Sequence, residues 1–158
     1  MTGVHLHLLI SHVPIVGVLF GIALLAWGMI RRSNDVNTAS LLLFIVIAVS
    51  GAAAFLSGEP AEATAENLAG VSKSTIERHE DSAKIAAIST YVLGAASLVG
   101  LIVIHRVKRS SPFVFGSALV LAFVAAGLLS WTGNLGGQIR YTEIGSPPQS
   151  TGSVTDRD

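Results

Sequence analysis

The run Leu6–Ile30, LHLLISHVPIVGVLFGIALLAWGMI, carries no formally charged side chain and is followed at once by Arg31-Arg32. At about 1.5 Å per residue, a helix over this run is longer than the ~30 Å hydrocarbon core of a bilayer. It reads as a membrane span. Three further runs share its character, at residues 39–56, 85–104 and 113–131. Hydrophobic residues make up 51% of the chain and charged residues only 13%, and the charges collect between the four runs. The expected fold is therefore an all-α membrane protein, a four-transmembrane-helix bundle over residues 1–144, with a polar, mobile tail at 145–158.

Composition removes several function classes. With no cysteine, the chain has no disulfide, thiolate metal site, iron–sulfur ligation or covalent haem attachment. Net charge is zero and there is no basic tract, so nucleic acid is not an expected partner. The first span lacks a basic flank and is too long for a cleaved signal, so it is expected to remain as a span. No Ser/His/Asp arrangement, phosphate loop or carboxylate pair within the spans points to a stand-alone enzyme.

The connections are short. Ser33–Asn37 links the first two spans, and Ser110-Ser111-Pro112 leads into the fourth, with Pro112 suited to a first helical turn. In the longer second connection, Pro60 fits the start of a short helix ending near Gly70, and Ser74-Thr75-Ile76-Glu77 reads as a capping box that starts the third helix well before its apolar part. Gly17/Gly21, Ser50/Ala54 and Ala96/Gly100 are small-residue pairs four apart, the spacing that lets helices approach closely in lipid. Trp27 and Trp131 stand near span ends, where interfacial aromatics collect.

Charge sets the orientation. Arg31, Arg32, Arg106, Lys108 and Arg109 face one acid, Asp35, in the first and third connections, whereas most acids lie in the second connection and the tail. By the positive-inside rule the first set is cytoplasmic. Both termini then face outward, to the periplasm if the membrane is a bacterial inner membrane.

That topology gathers His5, His7, His12 and His79 on the outer side; His105 falls in the cytoplasmic basic cluster and reads as an interfacial cation. An imidazole in hydrocarbon needs a partner. Counting from Ile30, His12 and His7 stand 18 and 23 residues away, and His79 stands 25 residues from Ile104. At about 1.5 Å each, these are heights of roughly 27, 34 and 37 Å, so His7 and His79 match best. Pro14 removes a helical donor, frees the Ile10 carbonyl and is expected to bend the first span beside His12. His7 and His12 are about 140° apart around a helix, so they form no single-helix chelate.

Histidines on two membrane helices are the usual protein contribution to a b-type haem, whose propionates Arg140 or Arg78 would meet. The same imidazoles with Glu59, Glu62 or Glu80 would make a mixed nitrogen and oxygen site for a non-haem metal, or a quinone site. A third reading has no cofactor: His5 and His7 are interfacial, His12 satisfies the backbone loosened by Pro14, and His79 is solvated. The segment Thr132–Glu143, with Gly136-Gly137 inside it, reads either as a lid returning over His79 or as a helix stop followed by surface chain.

The opening His7-x4-His12-x-Pro14, His79-Glu80 after an acidic connection, and Gly136-Gly137-Gln138-Ile139-Arg140 resemble an uncharacterised bacterial family of four-helix inner-membrane proteins, over about residues 5–144. Val13 stands where that family usually has an aromatic. Relatives in it are fused to Rieske or cytochrome c domains. The resemblance implies respiratory or photosynthetic electron transfer, with His7, His12, His79 and Arg140 as the cofactor residues. It also implies other subunits of a membrane redox complex, a quinone or a periplasmic cytochrome as partners. The expected function is a haem b-binding electron-transfer or anchoring subunit; the alternatives are a cofactor-free structural subunit and a non-haem metal or quinone site.

Overall fold

The structure, a computed structural model, describes residues 3–58, 73–107 and 111–140. These form four helices: α1 (Gly3–Arg31), α2 (Asn34–Leu56), α3 (Lys73–Val107) and α4 (Pro112–Arg140). Each is long and apolar enough to cross a membrane. The short helix expected at Pro60–Gly70 and the 145–158 tail lie outside the described residues.

The α1–α2 turn explains why the first pair is antiparallel and tight. Ser33 N–H donates to Gly28 O at 2.9 Å and Arg32 N–H to Met29 O at 3.2 Å, with Arg32 at φ 52°. This double bond pattern closes a helix with one residue in the left-handed region, here an arginine where glycine is usual. Ser33 then serves the next helix: its Oγ accepts from Val36 N–H at 3.4 Å, filling the N-cap role. The connection is thus Arg32-Ser33 alone, and α2 starts at Asn34 rather than at Ala39. The polar residues expected in a loop are helical because Asp35 suits a first turn and Asn37, 3% exposed, is buried against Gly28. On the same side of the bundle, Ser111 Oγ accepts from Val114 N–H at 3.4 Å and Pro112 opens α4, as expected.

The helices pack in a square: α1 on α2 and α4, α2 on α3, and α3 on α4, so α1 and α3 are diagonal. Small residues set the separations. Gly21 faces the Phe44 ring of α2, and Gly94 of α3 lies so close to Ala48 of α2 that a Cβ there would collide with the alanine methyl. Gly17 faces Ile47 and Gly100 faces Val114, so two of the expected small-residue pairs do place a glycine at a contact. The core is completed by Leu25, Leu41, Leu93 and a column on α4, Phe115, Ala118, Ala122, Ala125 and Leu129. Outside it lie exposed apolar side chains such as Phe20, Val49, Ile88 and Phe123, the surface that lipid would cover. Trp27, stacked under Arg31 with 5.6 Å from Cζ to the ring centroid, and Trp131 lie toward opposite ends of the bundle.

Two differences bear on the site. α3 already includes Lys73, so Ser74 lies inside the helix rather than ahead of it. The early start of α3 holds. Further, α4 does not stop at Thr132-Gly133 but runs through Gly136 and Gly137 to Arg140. Each interior glycine costs roughly 1 kcal/mol against alanine; at Gly136 the packing described below offsets that cost.

The Gly94 contact is testable. Gly94→Ala, with no flexible neighbour to give way, is expected to destabilise the bundle by about 1–3 kcal/mol. Gly127→Ala, which points into open space, is expected to be neutral or to stabilise by up to about 1 kcal/mol. Unfolding of the purified protein in mixed detergent micelles reads both.

Candidate functional site

His7 and His79 share one end of the bundle. On α1, His7 is level with the C-terminus of α2; on α3, His79 is level with the last turns of α4. Both rings are partly buried, and they stand on diagonal helices.

Each imidazole is fixed through Nδ1 to a neighbouring helix. His7 Nδ1 is 3.1 Å from Ala54 O and 3.0 Å from Ser57 Oγ. Ala54 O belongs to the last four carbonyls of α2, which a helix end leaves short of intrahelical partners. Ser57 Oγ–H itself donates to Ala54 O at 2.8 Å, so its oxygen is left to accept from the ring. His79 Nδ1 is 3.1 Å from Thr132 O, a carbonyl inside α4. Alongside, Ser82 Oγ and Thr132 Oγ1 are 2.6 Å apart, which fixes the register of α3 on α4.

These partners determine the tautomer. A carbonyl oxygen only accepts, so Nδ1 carries the proton in both rings. In a neutral imidazole the lone pair then sits on Nε2, the state in which histidine binds a metal through Nε2 with Nδ1–H held by a carbonyl. Among the described residues nothing takes a hydrogen bond at either Nε2.

Glycine makes room at the His79 ring. A Cβ on Gly136 would come within 3.0 Å of His79 Cε1 and 3.4 Å of its Nδ1, closer than a methyl fits without displacing the ring. This contact accounts for a glycine inside α4 where the sequence suggests a stop. Gly58 lies beside His7, with a notional Cβ 3.7 Å from Cε1.

The other expected residues are placed differently. His12 is exposed, turned away from the face that carries His7, and its Nδ1 bonds Leu8 O of its own helix. Ser11 Oγ donates to the same carbonyl at 3.1 Å. Neither side chain takes up the Ile10 carbonyl that Pro14 frees; α1 is helical through the buried Pro14. Glu80 pairs with Lys84 at 2.9 Å on the surface of α3, with Asp81 3.5 Å from the same ammonium. Arg78 is exposed on α3, and His105 is exposed at the opposite end of the bundle. Arg140 closes α4, but its side chain, like that of His5, lies outside the described residues, as do Glu59 and Glu62. Among the described residues no three of His, Cys, Asp or Glu come together as a metal-binding group.

Sequence reasoning passed over Ser57 and Ser82, and it read Thr132 and Gly136 as part of a lid or a helix stop rather than as contacts of His79 within α4. Only Gly136 carried a signal, since a glycine in an unbroken helical register marks close approach.

No family model, no curated protein and no solved structure matches this chain.

The tautomer assignment has a direct check. In protein labelled with 15N-histidine, solid-state NMR is expected to show His7 and His79 with the proton on Nδ1. Gly136→Val is expected to shift the His79 signals and leave those of His7 in place.

Proposed function

We propose that this chain is a bacterial inner-membrane protein that holds a b-type haem between His7 and His79 and serves as an electron-transfer or anchoring subunit of a larger redox complex. One observation carries the reading: two partly buried imidazoles on diagonal helices, at one end of the bundle, each with Nδ1–H tied to a carbonyl of the next helix. Bis-imidazole ligation needs two such nitrogens and no third protein ligand. A zinc-type site needs three or four, and the described residues bring no such set together.

When bound, haem would supply one-electron chemistry. The chain's own residues would do the rest. Ala54 O, Ser57 and Thr132 O hold the rings in orientation and keep Nε2 basic. Gly136 leaves room beside the His79 ring. The bundle keeps bulk water from the apolar side of the site. Arg140, at the end of α4 on this side, is the cation available for propionates. His12, exposed and bound to its own helix, takes no part.

The positive-inside rule gives the orientation, with Arg31, Arg32 and Arg106 cytoplasmic and the histidine end periplasmic. The resemblance to four-helix proteins whose relatives are fused to Rieske or cytochrome c domains supports a respiratory or photosynthetic setting, with a quinone or periplasmic cytochrome as electron partner.

A second reading rests on the same hydrogen bonds. His7 joins α1 to α2, and His79 joins α3 to α4, so the imidazoles also act as staples of a cofactor-free structural subunit.

Spectra separate the two. Purified protein reduced with dithionite is expected to show a Soret band and a sharp α-band. His7→Ala or His79→Ala is expected to abolish them, His12→Ala to retain them, and Ser57→Ala to weaken haem affinity by about tenfold. Loss of stability in His7→Ala and His79→Ala, with no haem band in the parent protein, would leave the structural reading alone. For orientation, single cysteines in this cysteine-free chain give a clean assay: Ser74→Cys is expected to react with an impermeant maleimide in intact cells, and Ser111→Cys only after lysis.

A further inference from the structure

A groove of about 340 Å³ runs down the outer face between α3 and α4, lined by Arg78, Asp81 and Ser82 at one end and by Ile85 and Leu128 at the other, with Trp131 and Leu135 along the α4 wall. It lies on the outside of the bundle, apart from the carbonyl-bound faces of the histidines. Its size falls in the range of small-molecule sites, about 300–1,000 Å³.

The order of the lining residues gives it direction. Along α3 the chain descends from Arg78 through Ser82 to Ile85, the first residue of the charge-free run. Along α4 it rises from Leu128 through Trp131 to Leu135. The Ser82–Thr132 contact at 2.6 Å holds the two walls in register. Each wall covers eight residues, a rise of about 10 Å along a helix axis. On α3 the lining passes from polar at the outer end to apolar at Ile85, and the α4 wall is apolar, with an exposed tryptophan midway. That gradient, parallel to the bilayer normal, is the gradient of a phospholipid from headgroup to acyl chain.

The charges at the mouth narrow the headgroup. Arg78 makes no ion pair among the described residues, and a guanidinium matches a phosphate diester. Asp81 stands one turn further along the same helix; it is highly exposed and only 3.5 Å from Lys84 as a second partner of that ammonium. A cation and an acid side by side complement a zwitterion. An anionic lipid would meet repulsion from Asp81, and a quaternary amine would give that carboxylate no hydrogen-bond donor.

We infer that this groove is a binding site for one phosphatidylethanolamine molecule, its phosphate on Arg78, its ammonium on Asp81, its glycerol beside Trp131 and one acyl chain against Ile85 and Leu128.

Trp131 provides the reporter, because Trp27→Phe leaves it as the sole tryptophan of the two. The full chain carrying Trp27→Phe is reconstituted in phosphatidylcholine vesicles, and chain-brominated phosphatidylethanolamine is titrated in. Quenching of Trp131 is expected to saturate at a mole fraction about tenfold below that needed with brominated phosphatidylcholine. Arg78→Gln is expected to abolish that preference, and Asp81→Asn to turn it toward brominated phosphatidylglycerol. In the converse Trp131→Phe protein, Trp27 is expected to follow bulk mole fraction for every lipid, which also shows that the protein is folded and inserted. Quenching of Trp131 that tracks bulk composition for all three lipids would overturn the proposal. So would a phosphatidylethanolamine preference that survives Arg78→Gln.

Discussion

Hydrocarbon offers a peptide group nothing to bond with, and that constraint organises the whole molecule. Each span must be helical so that its backbone polar groups are satisfied within it. No hydrophobic force draws one helix to another in lipid, so the helices meet through close contacts at small residues. Gly21 against Phe44 and Gly94 against Ala48 are those contacts. What the interior of a span cannot accommodate is moved to its ends. There the last carbonyls of α2 run short of partners, and the His7 side chain supplies one of the missing donors. An interaction that satisfies a helix end thus also fixes the proton on Nδ1 of an imidazole and leaves Nε2 basic.

The four spans were legible because a charge-free run of membrane length is seldom anything but a membrane crossing. The common height of His7 and His79 was also legible, from residue counts and helical rise alone, and the angular separation of His7 and His12 foretold that they would face different ways. The start of α2 was less legible: Asn34, Asp35 and Asn37 look like loop residues until Ser33 is seen to cap the helix and Gly28 to make space for the Asn37 side chain. The extension of α4 past Thr132 was not legible. Gly133, Gly136 and Gly137 each favour a stop, yet the helix continues past them, and Gly136 gives the His79 ring of the neighbouring helix its room.

The anchors of the site were hidden for a different reason. Ala54 and Thr132 act through main-chain carbonyls, which every residue possesses and which leave no mark in a sequence. Ser57 and Ser82 are small hydroxyl residues of a kind found throughout the chain. Their roles come from position: one turn past the last core residue of α2, and opposite the penultimate turns of α4. The histidines announced a site, whereas the groups that orient them emerged only when the helices were assembled.

The two-residue turn at Arg32-Ser33 has a consequence for how the protein is made. Ser33 closes α1 and opens α2 at once, so melting either helix at that end exposes unbonded groups of the other. The first two crossings are therefore coupled through one turn as a single cooperative hairpin, the natural unit to enter a bilayer together. Its first arm, from Gly3 to Ile30, has no fixed charge to bring into the hydrocarbon, and the arginine pair is concentrated at the bend.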